Sequence, residues 1–297
     1  MRGTQLPVST PLGKYQTANV RVSAFGQRLR ASGASGTLTA IRPSAAIRIA
    51  YDRKLAALVD ALAADISRVL LAAYRADPPT SVVLYGQDAS PLKILQAAMR
   101  GLTRDWLARF NELGPKLAER FASDVRDRND RAIAADLRKA RFTVRFKMTV
   151  AMREAYGAVL SENVALISSL PAEHLAAVEQ LVMRSVAAGR DLGTLAKGLE
   201  KRHGITRRRA ARIALAQNNS ATAVLARTRY LEMGLTRAIW LHSAGGQTPR
   251  PTHVAFSGKT FDLREGVVLE PDEGIVWPGT AINCRCVMKP AIEGIDY

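Results

Sequence analysis

Residues 51–76 read YDRKLAALVDALAADISRVLLAAYRA, and the spacing of their apolar side chains decides the class of fold. Leu55, Leu58, Leu62, Ile66, Val69 and Ala73 recur at intervals of three and four, which puts them along one side of a helix with 3.6 residues per turn. The run stops at Asp77-Pro78-Pro79, since proline removes a backbone donor and clashes with the preceding turn. A second stripe follows in Leu95, Met99, Leu102, Trp106 and Phe110, with Ser90 predicted as its N-cap and Pro91 at the first helical position. Gly114-Pro115 is expected to bend or end this second helix.

The helical character extends beyond both stripes. Of the 48 alanines, 43 precede residue 236, and alanine has the highest helix propensity. Between residues 129 and 170 there is no proline and only Gly157, while Ile133, Leu137, Val144, Met148, Met152, Ala155 and Val159 fall on related faces. One or two long helices are predicted there, and Pro171 is expected to open another. The polar side of this stretch carries Arg131, Arg138, Arg141, Arg145 and Arg153. A solvated charged face is the ordinary reading, and a track for phosphates the alternative.

Charge divides the chain unevenly. Its 297 residues hold 43 Lys+Arg against 26 Asp+Glu, a net charge of +17, which favours an anionic partner and nucleic acid first. Residues 1–42 contain Arg2, Lys14, Arg21, Arg28, Arg30 and Arg42 and no acidic residue; they read as a basic flexible arm that orders against a partner, or as a frayed terminus. Residues 236–297 hold 6 basic and 7 acidic residues, so the basic excess lies upstream. Short apolar runs at 238–241, 254–256, 266–269 and 286–288 alternate there with Gly, Pro and Asp, a strand-and-turn pattern. The fold class is therefore mostly α, an extended helical N-terminal region followed by a small α+β C-terminal module. Boundaries are placed at 42/43 and 174/175.

Some functions are excluded and others stay open. Two cysteines cannot staple a secreted mini-domain, and no apolar run approaches the ~20 residues of a membrane span. The first fifteen residues lack a secretory apolar segment, so a cytosolic site of synthesis is expected. No P-loop and no G-x-S-x-G occurs, and no catalytic residue is assigned. Residues 192–219 read as a helix, a short turn and a second helix capped by Thr206. Arg207, Arg208 and Arg209 open that second helix as a helix-turn-helix would, although cations at a helix N-terminus oppose the macrodipole. With Arg21, Arg28 and Arg30, these arginines are the candidate nucleic-acid contacts.

Cys284-Arg285-Cys286 puts two thiols on one face if the segment is extended. Three readings stand: small buried hydrophobes with a hydrogen-bonded His253, the commoner outcome; a structural zinc held by Cys284, Cys286, His253 and His242, although C-x-C is narrower than the usual zinc spacing; or redox or disulfide use of the two thiols. His253 and Asn283 also fit a small metal-dependent nuclease, but no second metal-binding His or acidic partner stands at matching spacing.

Taken in series, these residues resemble a family. The segment Ile213-Ala214-Leu215-Ala216-Gln217-Asn218-Asn219, then Gly234 and Trp240, Arg250-Pro251-Thr252-His253, Gly258-Lys259-Thr260-Phe261, and Pro278-Gly279 leading to Asn283-Cys284-Arg285-Cys286 is similar to the phage head-morphogenesis proteins typified by the F protein of phage Mu. The resemblance covers about residues 175–290. Leu215 stands where the family usually has Arg, and Gly-Gln-Thr-Pro replaces an Asp often found before the R-x-x-H. The resemblance implies a Mu F-like domain over 175–297 and a structural, non-enzymatic minor head protein of a tailed phage or prophage. It implies portal protein and other head proteins as partners and a place at the capsid interior or portal vertex after assembly in the host cytoplasm; the basic arm and Arg-rich helices add non-specific DNA contact as an expectation from charge, and no membrane partner and no obligatory cofactor are expected.

Overall fold

Four long helices carry the chain from residue 45 to residue 232: α1 (Ala45–Ala76), α2 (Pro91–Lys139), α3 (Val150–Ala187) and α4 (Leu192–Glu232). The structure is a computed structural model and describes residues 38–76, 91–139, 142–188, 191–245 and 248–291. Arg21, Arg28 and Arg30, the Ser90 cap, Pro78-Pro79 and Arg141 lie outside the described residues. No helix among the described residues is long and apolar enough to cross a membrane.

Both apolar stripes point inward. Leu55, Leu62 and Ile66 of α1 and all five stripe residues of α2 are buried, and Leu58, Val69 and Ala73 pack against them. They share one core with Met152, Val159 and Ile167 of α3 and with Leu195, Ala210, Ala214 and Leu225 of α4. The second helix does not end at Gly114-Pro115, because Pro115 lies inside α2, and Pro171 opens no new helix but lies inside α3. Packing overrides the local penalty of a lost backbone bond at each. At Gly114 a Cβ would stand 3.3 Å from Ile167 Cγ2, so the residue before Pro115 lets α2 and α3 approach closely. The true break falls between Lys139 and Val150, where the Thr149 side chain caps α3 by accepting from the Met152 N–H at 3.1 Å. The junction placed at 174/175 falls within α3.

The helix-turn-helix reading is corrected. Residues 192–232 form one uninterrupted helix, with Gly204 in its interior. Thr206 is buried and caps nothing: its hydroxyl donates to the Arg202 carbonyl at 3.2 Å and lies 2.8 Å from His174 Nδ1. Leu199, Ala210 and Ile213 on the same helix are buried too, and this continuous apolar side holds the helix across the glycine.

Buried polar groups tie the bundle together. The Tyr51 hydroxyl donates to Asn163 Oδ1 at 3.0 Å, Asn163 Nδ2 donates to Gln217 Oε1 at 2.7 Å, and Gln217 Nε2 donates to Glu162 at 3.0 Å. Arg229, only 2% exposed, donates to both oxygens of Asp130 at 2.7 and 2.8 Å, to Glu232 at 2.8 Å and to the Lys147 carbonyl at 2.8 Å. One guanidinium thereby joins α2, the lead-in to α3, and the end of α4.

The C-terminal module begins where α4 stops. Gly234 has φ 77°, its N–H donates to the Leu231 carbonyl, and the Leu235 N–H donates to the Tyr230 carbonyl. This paired arrangement ends many helices and needs a left-handed residue at that place. Strand β1 (Arg237–Leu241) then runs antiparallel between β2 (Thr260–Asp262) and β5 (Val287–Ala291), with Trp240 opposite Met288 and Ala238 opposite Phe261. Strands β3 (Val267–Val268) and β4 (Ile275–Val276) form a separate pair. The expected strand at 254–256 is instead the end of a one-turn helix, α5 (Pro251–Ala255), because Pro251 at its first position has the helical φ built in. Trp240, Tyr230, Phe261, Leu263 and Met288 make a second core, joined by Ile133 and Leu137 of α2 and by Leu38 and Ile41. Residues 38–42, read as the end of the basic arm, are thus partly packed here, and the Thr39 N–H donates to Asp136 at 2.9 Å.

Two outcomes follow from these buried polar groups. Arg229→Met should cost about 3 kcal/mol in urea denaturation, because Asp130 and Glu232 lose their countercharge. Burial first, then the nearby Arg202 and His203, lower the His174 pKa to about 4. The unfolded chain then takes up this proton near pH 6.5 and the folded chain only near 4, so stability falls as pH drops across that window, by on the order of 3 kcal/mol. His174→Gln should flatten the slope of unfolding free energy against pH between 6.5 and 4.

Candidate functional site

The end of β1, helix α5 and the turn before β5 converge on one buried spot. Asn283, at φ 60°, turns the backbone just ahead of Cys284, and the chain from there is extended enough for both sulfurs to share a side. The Cys284 Sγ lies 3.5 Å and the Cys286 Sγ 3.7 Å from His253 Nδ1. Among the described residues these three form the group of His, Cys, Asp and Glu side chains whose ligand atoms come within 4.8 Å of one another, and all three are buried. No disulfide joins the two cysteines. His242 is not in the group: β1 ends at Leu241, so His242 leaves the pleat before the alternation of the strand can aim it inward, and its backbone N–H donates to Ser257 Oγ at 3.1 Å.

The surroundings are polar and directional. The Gly279 N–H donates to Cys284 Sγ at 3.4 Å. The Cys286 thiol donating to Cys284 is the main reason the Cys284 pKa is drawn down to about 5, with help from the N–H groups of Cys286 and Gly279, while Cys286 is pushed up by the same contact and by burial. Glu273 stands on the other side of the ring, its Oε2 3.7 Å from His253 Nε2. Arg250 holds that carboxylate at 2.7 Å and also donates to the Ile282 carbonyl at 2.9 Å. The Trp240 ring meets His253 edge-on at 5.1 Å and Phe261 at 5.9 Å.

Helix α4 supports the site from behind. Asn219 Nδ2 donates to the Cys284 carbonyl at 3.0 Å. Gly279, at φ 89°, lies so close that a Cβ would stand 3.1 Å from the Cys286 carbonyl and 3.3 Å from Ala223 Cβ. Arg285 points away from the cluster and donates to the Gly245 carbonyl.

With this geometry in view, residues 176–289 match the family described as phage Mu protein F like protein. The chain carries a Mu F-like region. No curated protein and no solved structure matches the chain. Within the Mu F-like region the residues singled out from sequence divide into two groups. Gln217, Asn218 and Gly234 serve the fold: Gln217 bonds Asn163, Asn218 Nδ2 donates to the Ser44 carbonyl at 3.2 Å, and Gly234 ends α4. Trp240, Arg250, His253, Cys284 and Cys286 converge on the buried spot, while Asn283 is exposed and sets the turn ahead of Cys284. Gly258 secures the β1 edge through its N–H to the Trp240 carbonyl at 2.8 Å.

Two contributors were not apparent in the sequence. Glu273, twenty residues from His253 within a turn of three acidic residues (Glu270, Asp272, Glu273), has no spacing to mark it, and Asn219 differs from its neighbour Asn218 only in which side of α4 it faces. Gly-Gln-Thr-Pro stands ahead of Arg250 in place of an Asp, and the carboxylate that arginine holds is that of Glu273. Of the candidate nucleic-acid contacts, Arg207 pairs with Asp60 at 3.3 Å and Arg209 with Glu173 at 2.9 Å, whereas Arg208 is exposed.

Gly279→Ala should lower stability by about 1–3 kcal/mol, since the new side chain meets both a left-handed backbone and the Cys286 carbonyl. A thermal melt read in the near-ultraviolet, where Trp240 and Trp277 report on the module, should move down while helical content at low temperature stays unchanged.

Proposed function

We propose that this chain is a minor head protein of a tailed phage or prophage, acting in head assembly and in DNA packaging or delivery from the capsid interior or the portal vertex. The observation that carries the reading is the Mu F-like match over residues 176–289, which supports a phage head-related, structural protein. The portal protein and other head proteins are its partners in this reading, and it performs no catalysis.

The charge distribution supports contact with packaged DNA. On α4, Lys197, Lys201, Arg208 and Arg212 are exposed, and their spacing puts them within about 60° of one another around the axis. None is in an ion pair with an acidic side chain among the described residues. Such a row binds phosphates through counterion release and reads no sequence. The arm residues Arg21, Arg28 and Arg30 add to it in this proposal.

In a lysogen carrying the gene, purified particles should contain the chain in few copies, and deletion should yield defective heads or particles that fail to deliver DNA. Normal infectivity after deletion, with the chain missing from wild-type particles, would sink the proposal. Charge reversal of Lys201, Arg208 and Arg212 together should weaken duplex DNA binding alike for unrelated sequences and flatten its dependence on salt by about three units of logarithmic slope, one for each phosphate no longer neutralised. A fluorescence anisotropy titration over a salt series measures it.

A further inference from the structure

The geometry points to a zinc-binding site in which His253 Nδ1, Cys284 Sγ and Cys286 Sγ are the protein ligands and Glu273 holds the histidine from behind. The inference is independent of the head-protein reading. It differs from the four-ligand set expected from sequence, because His242 drops out and Glu273 enters in a supporting role.

Distances carry the first part of the argument. A tetrahedral zinc with bonds of about 2.3 Å to sulfur and about 2.05 Å to nitrogen requires N···S separations of about 3.6 Å. The two observed separations are 3.5 and 3.7 Å. Two of the three donor–donor separations therefore already match edges of such a tetrahedron, and the two sulfurs lie within 4.8 Å of each other, on a strand start and a helix turn that the surrounding core fixes. The Gly279 N–H aimed at Cys284 Sγ is a donor suited to a metal-bound thiolate, which keeps lone pairs free for it.

Proton placement carries the second. His253 Nε2 and Glu273 Oε2 are both buried, face each other at 3.7 Å, and have no hydrogen-bond partner. In a neutral ring with its proton on Nδ1, two acceptors would confront one another there at a cost. Binding zinc through Nδ1 puts the proton on Nε2, where it points at the Glu273 carboxylate. This carboxylate–histidine–metal order fixes the tautomer and the ring orientation and strengthens the ligand. Arg250, bonded to Glu273, holds that carboxylate in place in turn. Two thiolates and a neutral imidazole leave a fourth position, which a water fills. The buried Ser243 hydroxyl also lacks a partner, and its backbone N–H faces Cys286.

The test uses the full-length chain, stripped of metal under reducing conditions and titrated with Co2+ and then Zn2+. Expected are one equivalent of Co2+ with thiolate-to-cobalt charge-transfer and tetrahedral visible bands, displacement by one equivalent of Zn2+, and one zinc per chain retained on gel filtration. Glu273→Gln should keep that stoichiometry at saturation and weaken zinc binding about 10- to 100-fold in chelator competition. Cys284→Ser with Cys286→Ser should abolish the cobalt–thiolate band and the zinc, with helical content checked by circular dichroism. Zinc should also protect both cysteines of the wild-type chain from iodoacetamide. A well-folded wild-type chain that gives no cobalt–thiolate band and retains no zinc would overturn the proposal without recourse to any variant. So would an undiminished zinc content in the double serine variant, or cysteine alkylation indifferent to zinc.

Discussion

Helix α4 belongs to both hydrophobic cores, and the rest of the architecture depends on that. It closes the bundle through Leu195, Ala210, Ala214 and Leu225, while Ala223, Ala226 and Tyr230 near its C-terminal end form the floor of the C-terminal module. A short sheet of three strands exposes too much surface to stand alone in water. Set against a helix already fixed by three others, it needs to bury only one face. The close approach of Gly279 to Ala223 and the bond from Asn219 to the Cys284 carbonyl are the local form of that dependence: the backbone carrying the cysteines is positioned by the helix beneath it.

The same helix distributes charge by face. One side is apolar and buried, a second pairs Arg207 and Arg209 with Asp60 of α1 and Glu173 of α3, and a third leaves basic groups in solvent. The C-terminal module adds no basic excess. The exposed basic side of α4 and the enclosed histidine–cysteine cluster, carried by α5 and the turn before β5, therefore belong to different elements.

Much of the fold was legible in the sequence, and the failures share a cause. Periodicity located the buried faces of α1 and α2, and the change in composition near residue 236 located the start of the sheet. Pro115 read as a bend or an end, Pro171 as a helix start and the stretch around Gly204 as a turn, because each residue disfavours a helix interior locally, but tertiary packing over more than thirty residues of continuous helix outweighs one such residue. In the site, Cys284 and Cys286 were legible because a spacing of two has a direct meaning in extended chain. His242 misled because the strand ends one residue before it. Glu273 could not be found, since its role depends on which turn folds over the far side of the His253 ring, and nothing in local spacing encodes that.

The hydrogen-bonded row Tyr51–Asn163–Gln217 has a mechanical consequence. Helices that touch only through aliphatic side chains can shift along one another by a turn, about 5.4 Å, and find nearly equivalent packing. Here such a shift would break both contacts at once and leave the Tyr51 hydroxyl, Asn163 Oδ1 and Gln217 Oε1 unpaired in a medium that solvates none of them. The helices are keyed in axial register, so the bundle resists sliding and transmits a push or pull at one end to the other as a strut would, without lengthening in between.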